Sequence, residues 1–577
     1  MNKFTACPLD CYDSCEIIYK DSKIKAVKNR HTKGFLCSKL NKYLDNEIIT
    51  KPRYLGKEIS KEELLLKLKE IISTTLNNRT LYYKGSGNFG LMQEITEHFF
   101  SSYGATLTDG NLCDGAGEFG IIEGRGSNKN LSISEVEKSD VIIVWGRNPH
   151  TTSTHLLPLL KNKTIIVIDP VKTEIAKKSD LHIQLKPQGD LSLALLLSRF
   201  LVINDDIDEE YLNKFASEYK DFYELTQTVR IKATIDDIGV SLGEIGKLLE
   251  LVKNKKTSIV CGVGIQKYKS GAEVMRAIDA FAVMLCLFGK EGSGVVYLGD
   301  SKDGIESPFH NKSKRVSKVD TLFSNFDTVF IQGANPLSQM PNSLRVKKSI
   351  EKVKNIIYFG LHENETSEIA DLVIPAKTFL HKNDIRTSYS HTIMIDMPKI
   401  LDTDIGISEY NLTRYLCDEF DIKLEKEEFY IEHFKKFTFT NENGSLSVKN
   451  REEIPYKNGF DTDDGKFEFL EEYDKFISDN KLYLITSKSK NSLNSQFKRD
   501  KYVYLNSSLG YEEDEEITIS SSVGKVTLKV KYNNDLRDDC ILIYSGTKGV
   551  NNLTSSQHSF DGKNAIYQEL RVEIINN

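Results

Sequence analysis

Three cysteines within the first fifteen residues and a fourth at position 37 constrain this chain more than any other feature. The run Cys7-Pro8-Leu9-Asp10-Cys11-Tyr12-Asp13-Ser14-Cys15, followed by Cys37, reads C-x3-C-x3-C-x21-C. Three thiolates on one tight loop plus one distant thiolate can close around an iron–sulfur cubane, which is held by four such ligands. Structural zinc is the competing reading, although its ligands usually come as C-x2-4-C pairs. A third reading is plain burial of small, apolar thiols. The other five cysteines, Cys113, Cys261, Cys286, Cys417 and Cys540, are scattered, so no disulfide framework is expected.

At 577 residues the chain is too long for one hydrophobic core, and several domains are expected. Its net charge of -6 gives no basic face for nucleic acid. The most apolar run, Ala280 to Phe288, falls far short of the roughly 20 residues a membrane-spanning helix needs. The start, Met1-Asn2-Lys3-Phe4, carries neither an apolar signal region nor twin arginines. That predicts no export signal and a cytoplasmic location.

Beyond a small cysteine-rich module that ends near Pro52, hydrophobic patterning alternates between helix and strand periods. Lys61 to Ser73 is amphipathic, and Thr80 to Lys84 is a short strand entering Gly85-Ser86-Gly87-Asn88. Val141–Trp145, Thr164–Ile168, Thr257–Cys261, Thr328–Ile331 and Asn355–Phe359 are continuous, mainly apolar runs, and each stops at a turn. Such strands, separated by helix-length segments, predict parallel sheets buried on both faces. Glu425 to Lys436 reads as a solvated helix. In the last hundred residues, Leu482–Ile485, Ile517–Ile519, Val526–Val530 and Ile541–Tyr544 predict an all-β, barrel-like domain.

Taken in order, the motifs resemble the dimethyl-sulfoxide-reductase family of molybdopterin oxidoreductases, from Cys7 to about Val572. Lys33-Gly34-Phe35-Leu36-Cys37-Ser38-Lys39 resembles the segment with the fourth cluster cysteine and a lysine two residues on. By that likeness Lys39 lies between the cluster and one pterin; otherwise it is a surface lysine. Gly87 and Asn88, then Gly110-Asn111-Leu112-Cys113-Asp114-Gly115-Ala116-Gly117, resemble the region that supplies the protein ligand to the metal. The matching residue is Cys113, and a thiolate suits a soft metal. Asp114 is open to ligation, proton transfer or turn capping. Formate dehydrogenases of the family commonly place histidine there, and no match to their catalytic arginine is found, which weakens a formate assignment.

The resemblance continues through loops that hold guanine dinucleotide tails. These are Trp145-Gly146-Arg147-Asn148-Pro149, Asp169-Pro170, Lys186-Pro187-Gln188-Gly189-Asp190, Gly262-Val263-Gly264-Ile265-Gln266 and Gly333-Ala334-Asn335-Pro336. The Gln188-Gly189 order departs from the family's usual Pro-Gly-(Thr/Ser)-Asp loop. Ligands at the carboxyl ends of parallel strands follow the doubly wound logic. Asp371 resembles a pterin-side residue. Ser495-Gln496-Phe497, Asn506 and Asn552-Leu553-Thr554 resemble barrel segments over the cofactors. His150 and His155 either line a substrate funnel or are satisfied locally, and the second is favoured.

The resemblance implies a multidomain α/β protein: an N-terminal iron–sulfur module, two doubly wound α/β lobes and a C-terminal β-barrel-like domain. The divisions fall at 1–55, at 56–140 joined with 301–478, at 141–300, and at 479–577. It further implies a 4Fe–4S cluster, bis-molybdopterin guanine dinucleotide, and molybdenum or tungsten, with Cys113, Asp114 and Lys39 as catalytic residues. The expected activity is two-electron oxidation or reduction of a small-molecule substrate: a sulfur oxyanion or polysulfide, formate, or an N- or S-oxide. A ferredoxin-like or other electron-transfer subunit is the expected partner. Two alternatives stay open: a non-redox hydratase or hydroxyl transferase, and an electron-transfer or structural subunit that has lost its pterins.

Overall fold

Each of the five mainly apolar runs forms a parallel strand. A computed structural model describes residues 3–28, 32–309, 312–479 and 481–575, so Met1 and Asn2 of the N-terminal start lie outside it. The architecture is α/β and multidomain, and it ends in a closed six-stranded barrel.

One sheet is five-stranded and fully parallel. Its order is Leu181–Ile183, Thr164–Ile168, Val141–Trp145, Thr257–Cys261, Gly294–Val296. The chain winds outward from Val141–Trp145 in one direction and resumes on that strand's other side with Thr257–Cys261. This reversal leaves a crevice beyond the carboxyl ends of the two central strands. Helices Asp190–Ile203 and Gly271–Met284 pack on this sheet, and their near-continuous apolar sequence reflects burial on most sides.

The second sheet has eight strands, and its parallel core repeats the same logic. Thr80–Lys84 pairs on one side with Thr106–Asp109 and on the other with Thr328–Gln332, which continues into Asn355–Gly360 and Leu372–Pro375. The winding therefore reverses between Lys84 and Gln332. Two doubly wound sheets thus present two crevices.

The N-terminal segment forms a three-stranded antiparallel sheet, Lys3–Ala6, Glu16–Lys20 and Lys23–Ala26. Cys7, Cys11 and Cys15 occupy the connection between its first two strands. Cys37 caps helix Ser38–Asn41, its Sγ accepting the Leu40 N–H at 3.5 Å.

Two features depart from the sequence reading. Helix Glu427–Lys435 is not solvated all round, because Tyr430 and Phe434 pack edge-on and tilted against buried Phe309. A four-stranded antiparallel sheet, Asp384–Arg386, Ile393–Met397, Leu446–Val448 and Thr438–Thr440, was not foreseen. Its strands are too short to carry a readable period. Among the described residues no helix is long and apolar enough to cross a membrane.

Candidate metal and cofactor site

A single cavity of about 770 Å³ runs from the N-terminal cysteine loop, past Cys113, to both sheet crevices and under the barrel. At its first end Cys7, Cys11, Cys15 and Cys37 all line it. Burial and neighbouring negative charge, that of Asp13 and of the other thiols, push Cys7 up to about 12 and hold Cys11 and Cys15 well above the ordinary range. Among the described residues no three cysteine sulfurs lie within 4.8 Å of one another. A tetrahedral zinc with bonds of about 2.3 Å would need sulfurs closer than that. The groups that do converge within 4.8 Å are Asp13, Cys15 and His155, and all four cysteines open on the same end of the cavity, as ligands of one larger cluster would.

His155 sits against this loop. Its Nδ1 lies 2.8 Å from Asp13 Oδ2, its Nε2 lies 3.0 Å from the Phe35 carbonyl, and Cys15 Sγ is 3.5 Å from Nδ1. The ring stacks on Phe35. Burial opposes its charged form, but the Asp13 carboxylate outweighs this and raises its pKa overall. His155 lines the cavity with both ring nitrogens hydrogen-bonded, whereas His150 does not line it and leaves Nδ1 without a partner among the described residues. Lys39 also lines the cavity, donating to the Thr151 carbonyl at 3.0 Å, and burial lowers its pKa.

Cys113 is placed by a dense local network. Asn111 Oδ1 accepts the Cys113 N–H at 2.7 Å, and Asn111 Nδ2 donates to Asp114 Oδ1 at 2.6 Å. Gln266, fully buried, donates to the Cys113 carbonyl at 2.8 Å and accepts the Gly117 N–H at 2.9 Å, tying this loop to the other lobe. Asp114 is the N-cap residue of helix Gly115–Arg125 without a side-chain capping bond, so its carboxyl faces the cavity instead. Burial, reinforced by Glu118 and Asp10, raises Asp114 to about 7. Burial and Asp114 raise the Cys113 thiol to about 11, against the pull of Lys267 and Lys488. Burial lowers Lys267 to about 8.

The two crevices are built from facing glycines. A Cβ on Gly262 would lie 1.8 Å from the Gly146 carbonyl oxygen, and Gly146 itself has φ +59. In the other sheet Gly85 would strike the Gly333 carbonyl, and Gly87 approaches the Gly333 backbone. Bare backbone is thereby exposed at both winding reversals, where a flat ligand or phosphate can approach main-chain groups. Gly264, Asn148 and Asp169 also line the cavity. Burial pushes Asp169 up to about 7. Asp190 is raised to about 6 by burial, against hydrogen bonds from Trp145 Nε1 at 2.7 Å and Tyr268 OH at 3.4 Å.

Not every expected residue comes to the cavity. Gly189 lies behind Asp190 as the N-cap of its helix and packs against Ile238. Asn88 lies beyond Gly87, buried, with neither amide atom partnered among the described residues. Asn335 is buried and bridges Glu365 and Ser495. Asp371 sits at the amino-terminal edge of its sheet, accepting the Ile356 N–H at 2.7 Å, and so faces away from the crevice. Asn506 caps a short turn and donates to the Leu536 carbonyl.

Several lining residues went unseen in the sequence: Lys84, Lys267, Lys318, Tyr268, Tyr389 and Lys488. Lysines are usually exposed, so nothing local marks a buried one; only the fold brings Lys267, the next residue after the Gly262–Gln266 loop, to the Cys113 loop.

The residues present fit a large nucleotide-bearing chelate. Asn148 Oδ1, Tyr83 OH, Thr154 Oγ1 and Ser545 Oγ all belong to cavity-lining residues, are buried and have no hydrogen-bond partner among the described residues. Orphaned polar atoms of this kind call for a ligand or water.

Residues 73–405 match the sequence family described as Molybdopterin oxidoreductase. The chain is 28% identical over 436 residues to the probable oxidoreductase YyaE of Bacillus subtilis, spanning 67% of this chain and 64% of that one. It is 23% identical over 332 residues to the F420-dependent formate dehydrogenase subunit alpha of Methanocaldococcus jannaschii, covering 51% and 48% of the two. The matches thus span less than two thirds of either relative's length. In three dimensions it superposes on acetylene hydratase from Pelobacter acetylenicus with a TM-score of 0.80 over 99% of both chains, at 14% identity.

Proposed function

Because the chain belongs to the molybdopterin oxidoreductase family, we propose that it is the catalytic subunit of a molybdenum- or tungsten-dependent enzyme carrying a 4Fe–4S cluster and bis-molybdopterin guanine dinucleotide. The observation that carries this reading is the continuity of one cavity from four facing thiols, past Cys113, to two glycine-lined crevices. Two crevices at two winding reversals match two nucleotide tails.

Cys7, Cys11, Cys15 and Cys37 would hold the cluster, and Cys113 the molybdenum or tungsten. Gly146, Gly262, Gly264, Asn148, Asp169 and Asp190 would receive one guanine dinucleotide tail; Gly87 and Gly333 would receive the other. The chemistry supplied by the bound group is two-electron oxidation or reduction of a small substrate, by oxygen-atom or hydride-type transfer. Asp114 holds a proton near neutral pH at a carboxyl beside Cys113, which suits it to donate or accept one during turnover. Lys267 donates to the Leu112 carbonyl at 3.3 Å and brings positive charge to the Cys113 loop. Lys39, which lines the cavity beside the thiols, would lie between the cluster and one pterin, where a short electron path would pass. Apolar and aromatic walls, including Tyr389 and Tyr268, restrict water. The module of residues 1–55 then serves a ferredoxin-like electron carrier.

Cys113→Ala tests the reading. Turnover with an artificial electron acceptor should fall at least ~100-fold, the scale lost with a group acting in the transition state, while the cluster's EPR signal persists. Unchanged turnover removes Cys113 from the reaction, and turnover without any acceptor replaces redox chemistry with a hydratase-type reaction.

A further inference from the structure

Arg386 ends strand Asp384–Arg386 and is fully buried. Its Nε donates to Ser14 Oγ at 3.2 Å, and Nη1 to the Phe89 carbonyl at 2.9 Å. Nη2 donates to the Leu9 carbonyl at 2.9 Å and the Cys11 carbonyl at 3.4 Å. The guanidinium lies 4.3 Å from the centre of the Phe89 ring. Three of these four acceptors belong to the connection that carries Cys7, Cys11 and Cys15. The following residues grip the same loop: Ser388 Oγ donates to the Tyr12 carbonyl, and His391 Nε2 lies 3.2 Å from that of Asp13.

Among the described residues Arg386 makes no ion pair. A guanidinium stays ionised in proteins, and burying an ion without a counter-charge is strongly unfavourable. By contrast, the buried Arg125 has the Asp279 carboxylate as its partner. The groups that would answer its charge are the Cys7, Cys11 and Cys15 thiolates of the loop it holds, once they bind iron.

We propose that Arg386 is the built-in counter-charge of the cluster, a positioning residue that holds the three-cysteine loop and raises the cluster's reduction potential. The proposal rests on the reading that these thiols carry an iron–sulfur cluster. Reduction adds an electron to an already negative assembly, so a fixed cation beside it favours the reduced form. Its planar fork sets the loop's carbonyls, and its charge sets the potential.

The test compares the wild-type protein, Arg386→Gln and Arg386→Lys, each purified anaerobically. Iron and labile sulfide are measured first, and then the cluster is titrated against potential by EPR. Arg386→Gln should lower the reduced-to-oxidised ratio at least tenfold at a fixed ambient potential, equivalent to 59 mV for a one-electron couple. Arg386→Lys, which keeps the charge, should change that ratio less than threefold. A wild-type potential in Arg386→Gln, or an equal drop in both variants, overturns the charge role. Wild-type protein without iron or sulfide defeats the parent reading instead.

Should Arg386→Gln fail to retain a cluster, the melting temperatures of chelator-treated proteins decide. Without thiolate charge Arg386 is an uncompensated ion, so the empty Arg386→Gln protein should melt no lower than the empty wild type. A lower melting temperature makes Arg386 merely structural and overturns the proposal.

Discussion

Asp190→Asn should make the cofactor-free protein more stable at neutral pH and leave it nearly unchanged in acid. Asp190 is buried with its carboxyl pinned between Trp145 Nε1 and Tyr268 OH, and burial raises it from 3.8 to about 6. A carboxyl whose folded pKa lies above its unfolded one is deprotonated first in the unfolded chain. Stability is therefore full below about pH 4, falls as pH rises toward 6, and stays low above it. Roughly two pKa units correspond to about 3 kcal/mol. Asparagine keeps an oxygen for the Trp145 N–H and does not titrate. Asp114, Asp169 and Asp384 are raised in the same direction. Asp114 and Asp384 remain in both proteins and cancel in the comparison, whereas Asp169, raised in part by the Asp190 charge, should titrate lower in the variant and add to its gain. Trp145 is the chain's single tryptophan, so its fluorescence reports the transition from the site itself. Urea denaturation of both proteins at pH 4 and pH 7.5 should show the variant gaining about 2 to 3 kcal/mol relative to wild type between the two conditions. A constant difference across that range refutes the assignment of Asp190 as a buried, proton-holding carboxyl. In the loaded protein the effect should reverse, because guanine amine donors would meet the carboxylate and favour its charge.

Two further outcomes follow from packing. Gly262→Ala places a methyl 1.8 Å from the Gly146 carbonyl oxygen, a backbone atom that no rotamer change can move away. It should cost at least ~2 kcal/mol and abolish GMP release on acid treatment of the purified protein; wild-type GMP content would refute the crevice as a nucleotide seat. Arg125 and Asp279 form a buried bidentate pair, with Arg125 Nε donating to Oδ2 at 2.7 Å. Arg125→Leu alone should cost about 3–5 kcal/mol in urea denaturation, while Arg125→Leu with Asp279→Leu should recover most of the loss.

The parts of the fold readable in sequence were those with strong, simple patterning. Val141–Trp145 is apolar at every position and Thr257–Cys261 is buried at every position because both faces of their sheet are covered, and their ends coincide with the expected turns. The short strands around Arg386 were invisible, since three residues carry no period, and the sheet is completed by Leu446–Val448, which is far away in sequence. The same divide runs through the site. Glycines at strand ends advertise themselves because backbone approach demands them, and Gly146, Gly262 and Gly333 all reach the cavity. Asp371 and Asn506 occupy family-like segments, yet satisfy backbone groups away from it. Arg386 and Lys267 owe their importance to burial beside charge, a property of the assembled chain. Nothing in the neighbouring sequence signals it.

The central claim is that four early thiols hold iron while two strand-end crevices hold guanine-tailed chelators around one heavier metal. Composition of a single anaerobic preparation tests it most directly. About four iron and four labile sulfides per chain are expected, together with two acid-released GMP for each molybdenum or tungsten. A chain that purifies with zinc in place of iron, or with iron but without GMP, contradicts the account.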